Sequence, residues 1–270
     1  MDLGDLDTQQ KIDALRGVLV GEDGDALFEA ARRALIAAEF RAVDGMIGLP
    51  PADEELTEQM RELAHAALDK AAAVGHIDAG VDVANRIYFS RDSDRAGQAL
   101  AYATRASDDP RALYLLGLFH YVGFGCPKDE VKSLDYHRQA AARGEADAMF
   151  ELYVFLSKGI GTDRDDAQAL DWCRRAADAG SARAMANLGG FYATGSGVAK
   201  DPAQALAWYE KAAEAGSGRA AATLGVMFAL GDSVEADDDK ARQYFALAGD
   251  LGYPWDDLAA QCGLDPDAYC

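Results

Sequence analysis

The chain is poor in the residues from which metal, redox or disulfide chemistry is built. Its 270 residues include four cysteines and four histidines. The cysteines, Cys126, Cys173, Cys262 and Cys270, form neither a CxxC pair nor a tetrahedral zinc spacing, which excludes a thioredoxin-type motif and a zinc ribbon. Reduced thiols are the default reading, and a Cys262 to Cys270 bridge is the pairing left for an exported protein. His65, His76, His120 and His137 are scattered and no HExxH stands among them, so no metal site is assigned. No stretch approaches 18 uninterrupted apolar residues, and the N-terminus has neither a basic region nor an apolar signal core. A cytoplasmic protein without a membrane partner is expected. Positive charge is also short: 26 basic side chains face 46 acidic ones, a net charge of −20. Such a field repels DNA, RNA and anionic membranes and attracts a basic protein surface. Solubility or life at high salt accounts for the same bias equally well. No cofactor motif is present, and no pair of carboxylates is singled out as flanking a pocket.

What the chain does have is a period of 36 residues. Small residues recur at Ala112, Ala148, Ala184 and Ala220, and large apolar ones at Leu116, Leu152, Leu188 and Leu224. Glycine pairs follow at Gly123/Gly125, Gly159/Gly161 and Gly195/Gly197, with Gly231 alone in the last copy. Then come Asp129, Asp165, Asp201 and Asp237, the aromatics Tyr136, Trp172, Trp208 and Tyr244, and the closing Gly144, Gly180, Gly216 and Gly252. Regularity over four copies identifies a solenoid, in which each unit buries its apolar face against its neighbours.

One copy reads as two helices around a glycine loop. Ala184, Leu188, Phe191 and Tyr192 share one face of a helix A. Gly195 and Gly197 permit a tight turn, Asp201 caps helix B, Pro202 suits its first position, and Gln204 is placed to complete a capping box. Ala205, Trp208, Tyr209, Ala212 and Ala213 form the apolar stripe of helix B. Its alanines allow close axial approach, and the Trp is expected to fill the wider gap between units. Gly216 ends the helix. His120 and His137 stand where Tyr192 and Tyr209 stand in this copy and are read as packing residues, and the Asp series is read as caps rather than metal ligands.

The stretch LGGFYATGSGVAKDPAQALAWYEKAAEAG resembles the Sel1-like repeat, a relative of the tetratricopeptide repeat with a longer glycine-containing turn. The resemblance implies an all-α, right-handed alpha-alpha superhelical solenoid. Two departures are local: Tyr153 replaces the glycine held by Gly117, Gly189 and Gly225, and Gly249 replaces the second alanine of the helix B pair. Residues 112–255 hold the four repeats, 76–111 a shorter degenerate copy, 1–75 an N-terminal cap with a leading helix pair broken at Pro50 and Pro51, and 256–270 a C-terminal cap. Met1 to Asp5 are expected to be poorly ordered. One elongated domain is favoured over two globular ones, with Pro110 the soft junction.

Two helix A positions are free of repeat requirements and yield the pairs Tyr114/Leu118, Phe150/Val154, Ala186/Gly190 and Ala222/Val226. In related two-helix solenoids helix A lines the concave side. Large residues in two copies and small ones in the next two would make an apolar platform that runs into a shallow pocket, suited to a peptide or a helix. The expected function is a non-enzymatic scaffold or adaptor, with an immunity protein neutralising a toxin as the alternative and an enzyme with a site in the concavity behind both. Oligomeric state is left open.

Overall fold

The computed structural model describes residues 8–44 and 54–269. The expected disorder of Met1 to Asp5, the break at Pro50 and Pro51, and any bridge to Cys270 fall outside them. All regular structure among the described residues is helical. In chain order the helices are α1 (Thr8–Leu19), α2 (Gly24–Asp44), α3 (Glu54–Val74), α4 (Ile77–Phe89), α5 (Ala96–Arg105), α6 (Pro110–Val122) and α7 (Glu130–Ala142). They continue with α8 (Ala146–Lys158), α9 (Asp166–Asp178), α10 (Ala182–Thr194), α11 (Pro202–Glu214), α12 (Gly218–Leu230), α13 (Asp238–Asp250) and α14 (Asp256–Gln261). The fold is an all-α repeat solenoid. Its chain divides into two compact units, Met1–Asp129 and Glu130–Cys270.

In the first unit α2 packs along α3, α1 lies against both, and α4 pairs with α5. Ile12, Leu15, Leu27, Ala31, Met60, Ala64 and Ala67 are buried there without exposure. Lys70 donates from Nζ to the Leu19 carbonyl (2.7 Å), placing a cation at the C-terminus of α1. Asp69 accepts from both Arg86 and Arg95 at 2.7 Å and so ties α3 to α4 and to the turn before α5. The last helix of the degenerate copy, α5, stops at Arg105. Residues 106–109 are needed for the turn, because the Asp109 carboxylate accepts from the Arg111 N–H (2.8 Å) and caps α6, with Pro110 at its start.

In the second unit α8, α10 and α12 are the A helices and α9, α11 and α13 the B helices that follow them. Gly195 ends α10 at φ +78°, and its N–H reaches the Phe191 carbonyl (2.8 Å). The loop then closes where the Asp201 N–H donates to the Tyr192 carbonyl (2.9 Å), a bond repeated from Asp165 to Leu156 and from Asp237 to Phe228. The Asp201 carboxylate accepts from the N–H groups of Ala203 and Gln204, both at 3.1 Å. Gln204 donates its amide to the second Asp201 carboxylate oxygen instead of returning to the Asp201 N–H, which Tyr192 already occupies. The expected box is thus a one-sided clamp.

Both aromatics of the helix B stripe, Trp208 and Tyr209, are half-buried, and Trp208 packs against the cluster of Cys173, Ala176 and Leu188 between successive repeats. The Lys211 ammonium lies 4.5 Å from the Trp208 ring centre. The buried series lies one residue later, at His137, Cys173, Tyr209 and Phe245, of which Tyr209 alone is half-exposed. Glycines opposite admit the two large rings. A Cβ at Gly189 would meet the Tyr209 ring at 2.7 Å, and one at Gly225 the Phe245 ring at 2.6 Å.

His137 packs in this series as a fully buried ring, edge-on to Phe155 at 5.4 Å. Burial, reinforced by the Arg183 guanidinium, lowers its pKa from 6.5 to about 3, so the folded chain holds it neutral. The unfolded chain binds a proton near pH 6.5. Stability from this group is therefore complete above that pH and is lost as the pH falls toward 3. Urea unfolding at pH 7.5 and pH 5 is expected to show an acid loss that His137→Leu reduces, and an unchanged loss in the variant would contradict the assignment.

Candidate functional site

The eight residues of the expected platform divide by depth. Leu118, Phe150, Ala186 and Ala222 are buried, whereas Tyr114, Val154, Gly190 and Val226 are half-exposed. Phe150 packs with Cys173, Ala176, Ala177, Ala184 and Leu188, and the Arg183 guanidinium sits 4.4 Å from its ring centre. Ala186 and Ala222 join the cluster around Leu224 and Phe245. The first residue of each pair in this unit thus serves the contact between successive repeats.

Ala186 and Gly190 line a space of about 330 Å³, bounded by Tyr153 from α8, Tyr209 from α11 and Arg219 from α12. Asn187, Thr194 and Thr223 add polar groups to the wall, and among the described residues no carboxylate lines it. A neighbouring recess of about 240 Å³ shares Tyr153, Phe191 and Ser196 with it and is lined beyond them by Arg164 and Asp166. Arg219 donates from Nη2 to Asn187 Oδ1 (2.8 Å). Thr194 and Thr223 return their hydroxyls to the carbonyls of Gly190 and Arg219 four residues back, leaving the guanidinium, the two tyrosines, Asn187 and Ser196 as the polar features.

Tyr153 owes its place to a size exchange. Where the next two copies set a helix A glycine against a helix B ring, this copy sets a helix A ring against the thiol of Cys173. The Cys173 thiol donates toward the Ala184 carbonyl (3.7 Å), and burial pushes its pKa up to about 12, which leaves it inert as a nucleophile. Tyr153 meets Phe191 edge-on at 6.0 Å. Burial raises the Tyr153 phenol above its ordinary pKa, nearby Cys173 adds to the rise, and Arg219 opposes it. Tyr209 is raised by burial against the same Arg219. Both phenols remain protonated donors at neutral pH.

The B side has the opposite character. Glu210 and Glu214 line a cleft of about 430 Å³ with Tyr244, whose phenol is pushed up by burial and by both carboxylates. Among the described residues no group of histidine, cysteine and acidic side chains is arranged to hold a metal ion. No described helix is long and apolar enough to cross a membrane.

The repeat itself is recognised by comparison. The pattern of the Sel1 repeat matches residues 110–145, 146–181, 182–217 and 218–253, more than half of the chain. The protein belongs to the Sel1 repeat family. A Sel1 repeat protein from Oxalobacter formigenes is similar in structure, with 31% identity and a TM-score of 0.59, over 68% of this chain and 80% of that one. A protective antigen of uropathogenic Escherichia coli with an SLR fold shares 23% identity at a TM-score of 0.57, over 92% of this chain and 49% of its own. An immunity protein of Pseudomonas aeruginosa shares 22% identity at a TM-score of 0.51, over 72% and 75% of the two chains, and this likeness is one of fold. Comparison with curated proteins finds no similar sequence. Sel1 repeat proteins are in general non-enzymatic scaffolds for protein–protein interaction.

Sequence reading of this Sel1 array finds Ala186 and Gly190 but misses Tyr153, Asn187, Tyr209 and Arg219 as cavity residues. Tyr153 and Cys173 each stand out as a departure from the period. Their complementary sizes, on helices that pack together, are the signal that links them.

Proposed function

We propose that the protein is a non-enzymatic interaction scaffold that holds a partner protein in the groove formed by α8, α10 and α12. One observation carries this reading: the groove lies where Ala186 and Gly190 supply less bulk than the repeat geometry allows, beside aromatic side chains that are half-exposed. Preformed helices present it at little cost in backbone ordering, and rigid phenols give contact area with few rotatable bonds. The partner favoured by the net charge of −20 and by the cleft at Glu210 and Glu214 is basic overall. Phe150, Val154, Ala222 and Val226 belong to this proposal on the A helices that carry the groove, and Tyr114 and Leu118 belong to it as separate contact residues of α6 in the first unit.

Gly190→Leu tests the reading. A Cβ there meets the Tyr209 hydroxyl at an ordinary 3.6 Å, so the fold accommodates its first atom while the rest of the side chain fills the cavity. Replacing a mid-helix glycine also favours the helix, by about 1 kcal/mol. The full-length wild type is expected to retain a stoichiometric protein partner on mild crosslinking that Gly190→Leu loses, with helical circular dichroism unchanged. Equal retention by the variant would refute the groove. The alternative of an immunity protein draws on the same acidity, and a captured partner that is a toxin neutralised by the chain would decide for it.

A further inference from the structure

Arginine recurs at the second residue of an A helix, at Arg111, Arg183 and Arg219, and its environment changes in the last case. Within the first unit Arg111 reaches two carboxylates four residues apart on α4, Asp78 at 2.6 Å and Asp82 at 3.7 Å, besides Asp109 at 2.6 Å. Within the second unit Arg183 reaches two carboxylates four residues apart on α8, Asp147 at 3.2 Å and Glu151 at 3.1 Å. The corresponding positions on α10, one repeat on, are Arg183 itself and Asn187. Arg219 therefore has an amide where Arg183 has Glu151, and among the described residues no carboxylate stands at ion-pair distance from it. This same arginine forms part of the wall of the 330 Å³ cavity, whose lining among the described residues lacks any acid and includes Tyr153 and Tyr209, the Tyr209 hydroxyl lying beside Gly190.

A planar guanidinium offers parallel N–H donors that match both oxygens of a carboxylate, and phenols add further donors. The cavity volume lies at the low end of the range that holds small ligands, enough for a side chain rather than for a helix. We propose that the cavity receives the carboxylate side chain of an aspartate or glutamate from the partner protein, which replaces in trans the acid that the repeat supplies in cis to Arg111 and Arg183. The inference rests on the scaffold reading above. It also narrows it, because a chain of net charge −20 attracts a basic surface at long range while this site selects one acid within it at contact. Gly190 and Ala186 then form the apolar floor under the methylene groups of the inserted side chain.

The test is an array of hexapeptides, acetylated and amidated so that side chains are their sole source of carboxylate, each carrying one Asp, Glu, Gln or Lys among basic and neutral residues. It is probed with the full-length wild type, Gly190→Leu, Arg219→Gln and Asn187→Glu. The last variant restores the carboxylate of the ladder, and its thermal stability is expected to be no lower than wild type. Wild type is expected to favour Asp or Glu peptides over their Gln counterparts at least tenfold, and all three variants to lose that preference. Preference retained by Arg219→Gln or Asn187→Glu would overturn the proposal, as would equal binding of Gln or Lys peptides or no binding by wild type. A parallel set with a free C-terminal carboxylate and no acidic side chain is expected to bind like the Gln peptides; stronger binding of that set would assign the cavity to chain termini and also overturn it. Loss of binding in Gly190→Leu alone would retain the groove while refuting the carboxylate.

Discussion

Gly161→Ala is expected to destabilise the protein by about 2 to 5 kcal/mol, through two separate effects. Gly161 lies at φ +63°, where a Cβ crowds the neighbouring backbone at a cost of about 1 to 2 kcal/mol. Its Cβ would also fall 2.6 Å from the Glu130 carbonyl oxygen and 2.8 Å from the carbonyl carbon. Those atoms belong to the first turn of α7 and cannot rotate aside as a side chain would. Displacing them is overpacking of the kind that costs about 1 to 3 kcal/mol. Gly180 isolates the first effect, because it lies at φ +100° with nothing within 4 Å of an added Cβ. Gly180→Ala is thus expected to cost about 1 to 2 kcal/mol. Chemical denaturation of both variants checks the pair, and equal losses would show that the loop does not seat against α7.

Phe245→Ala is expected to cost about 3 to 5 kcal/mol, the range for emptying a fully buried aromatic site. Phe245 has no exposed surface and stacks on Trp255 at 4.3 Å, with Tyr269 at 5.4 Å, so it joins the last repeat to the C-terminal helix. Its ring lies on Gly225. Gly225→Ala in the wild type drives a Cβ to 2.6 Å from that ring and is expected to lose about 1 to 3 kcal/mol despite the better helix propensity of alanine. In the Phe245→Ala background the clash is gone and the propensity gain of about 1 kcal/mol remains, so the same change is expected to stabilise. A double-mutant cycle measures the reversal. Additive losses would mean that the glycine does not serve the ring. Trp208→Ala, at a half-exposed site, is expected to cost less than Phe245→Ala.

The solenoid was legible because a period copies every contact. Ala184, Leu188, Asp201 and Gly216 each recur in four copies, and a residue kept at the same place in every copy is fixed by the neighbour it meets. Helix B was less legible. Trp208 and Tyr209 both lie on its apolar stripe and both pack against core clusters, and the seat of the second depends on the glycine opposite, Gly189, on another helix. The capping box failed for a similar reason, since the Tyr192 carbonyl takes the Asp201 N–H from across the loop.

The candidate site was visible only in part. The pairing of Ala186 with Gly190 follows from helical spacing within one element. Tyr153 and Cys173 looked like separate irregularities until their packing made them one exchange. The isolation of Arg219 is a relation between repeats, because it depends on Asn187 standing 36 residues after Glu151.

Hydrogen exchange of the full-length chain with its captured partner, compared with the free chain, tests the central claim most directly. Protection is expected in residues 186–196 and 219–226, together with the part of α8 that carries Tyr153. Protection confined instead to the B helices, at residues 203–214 and 238–251, would place the partner on the Glu210 and Glu214 cleft and contradict the account.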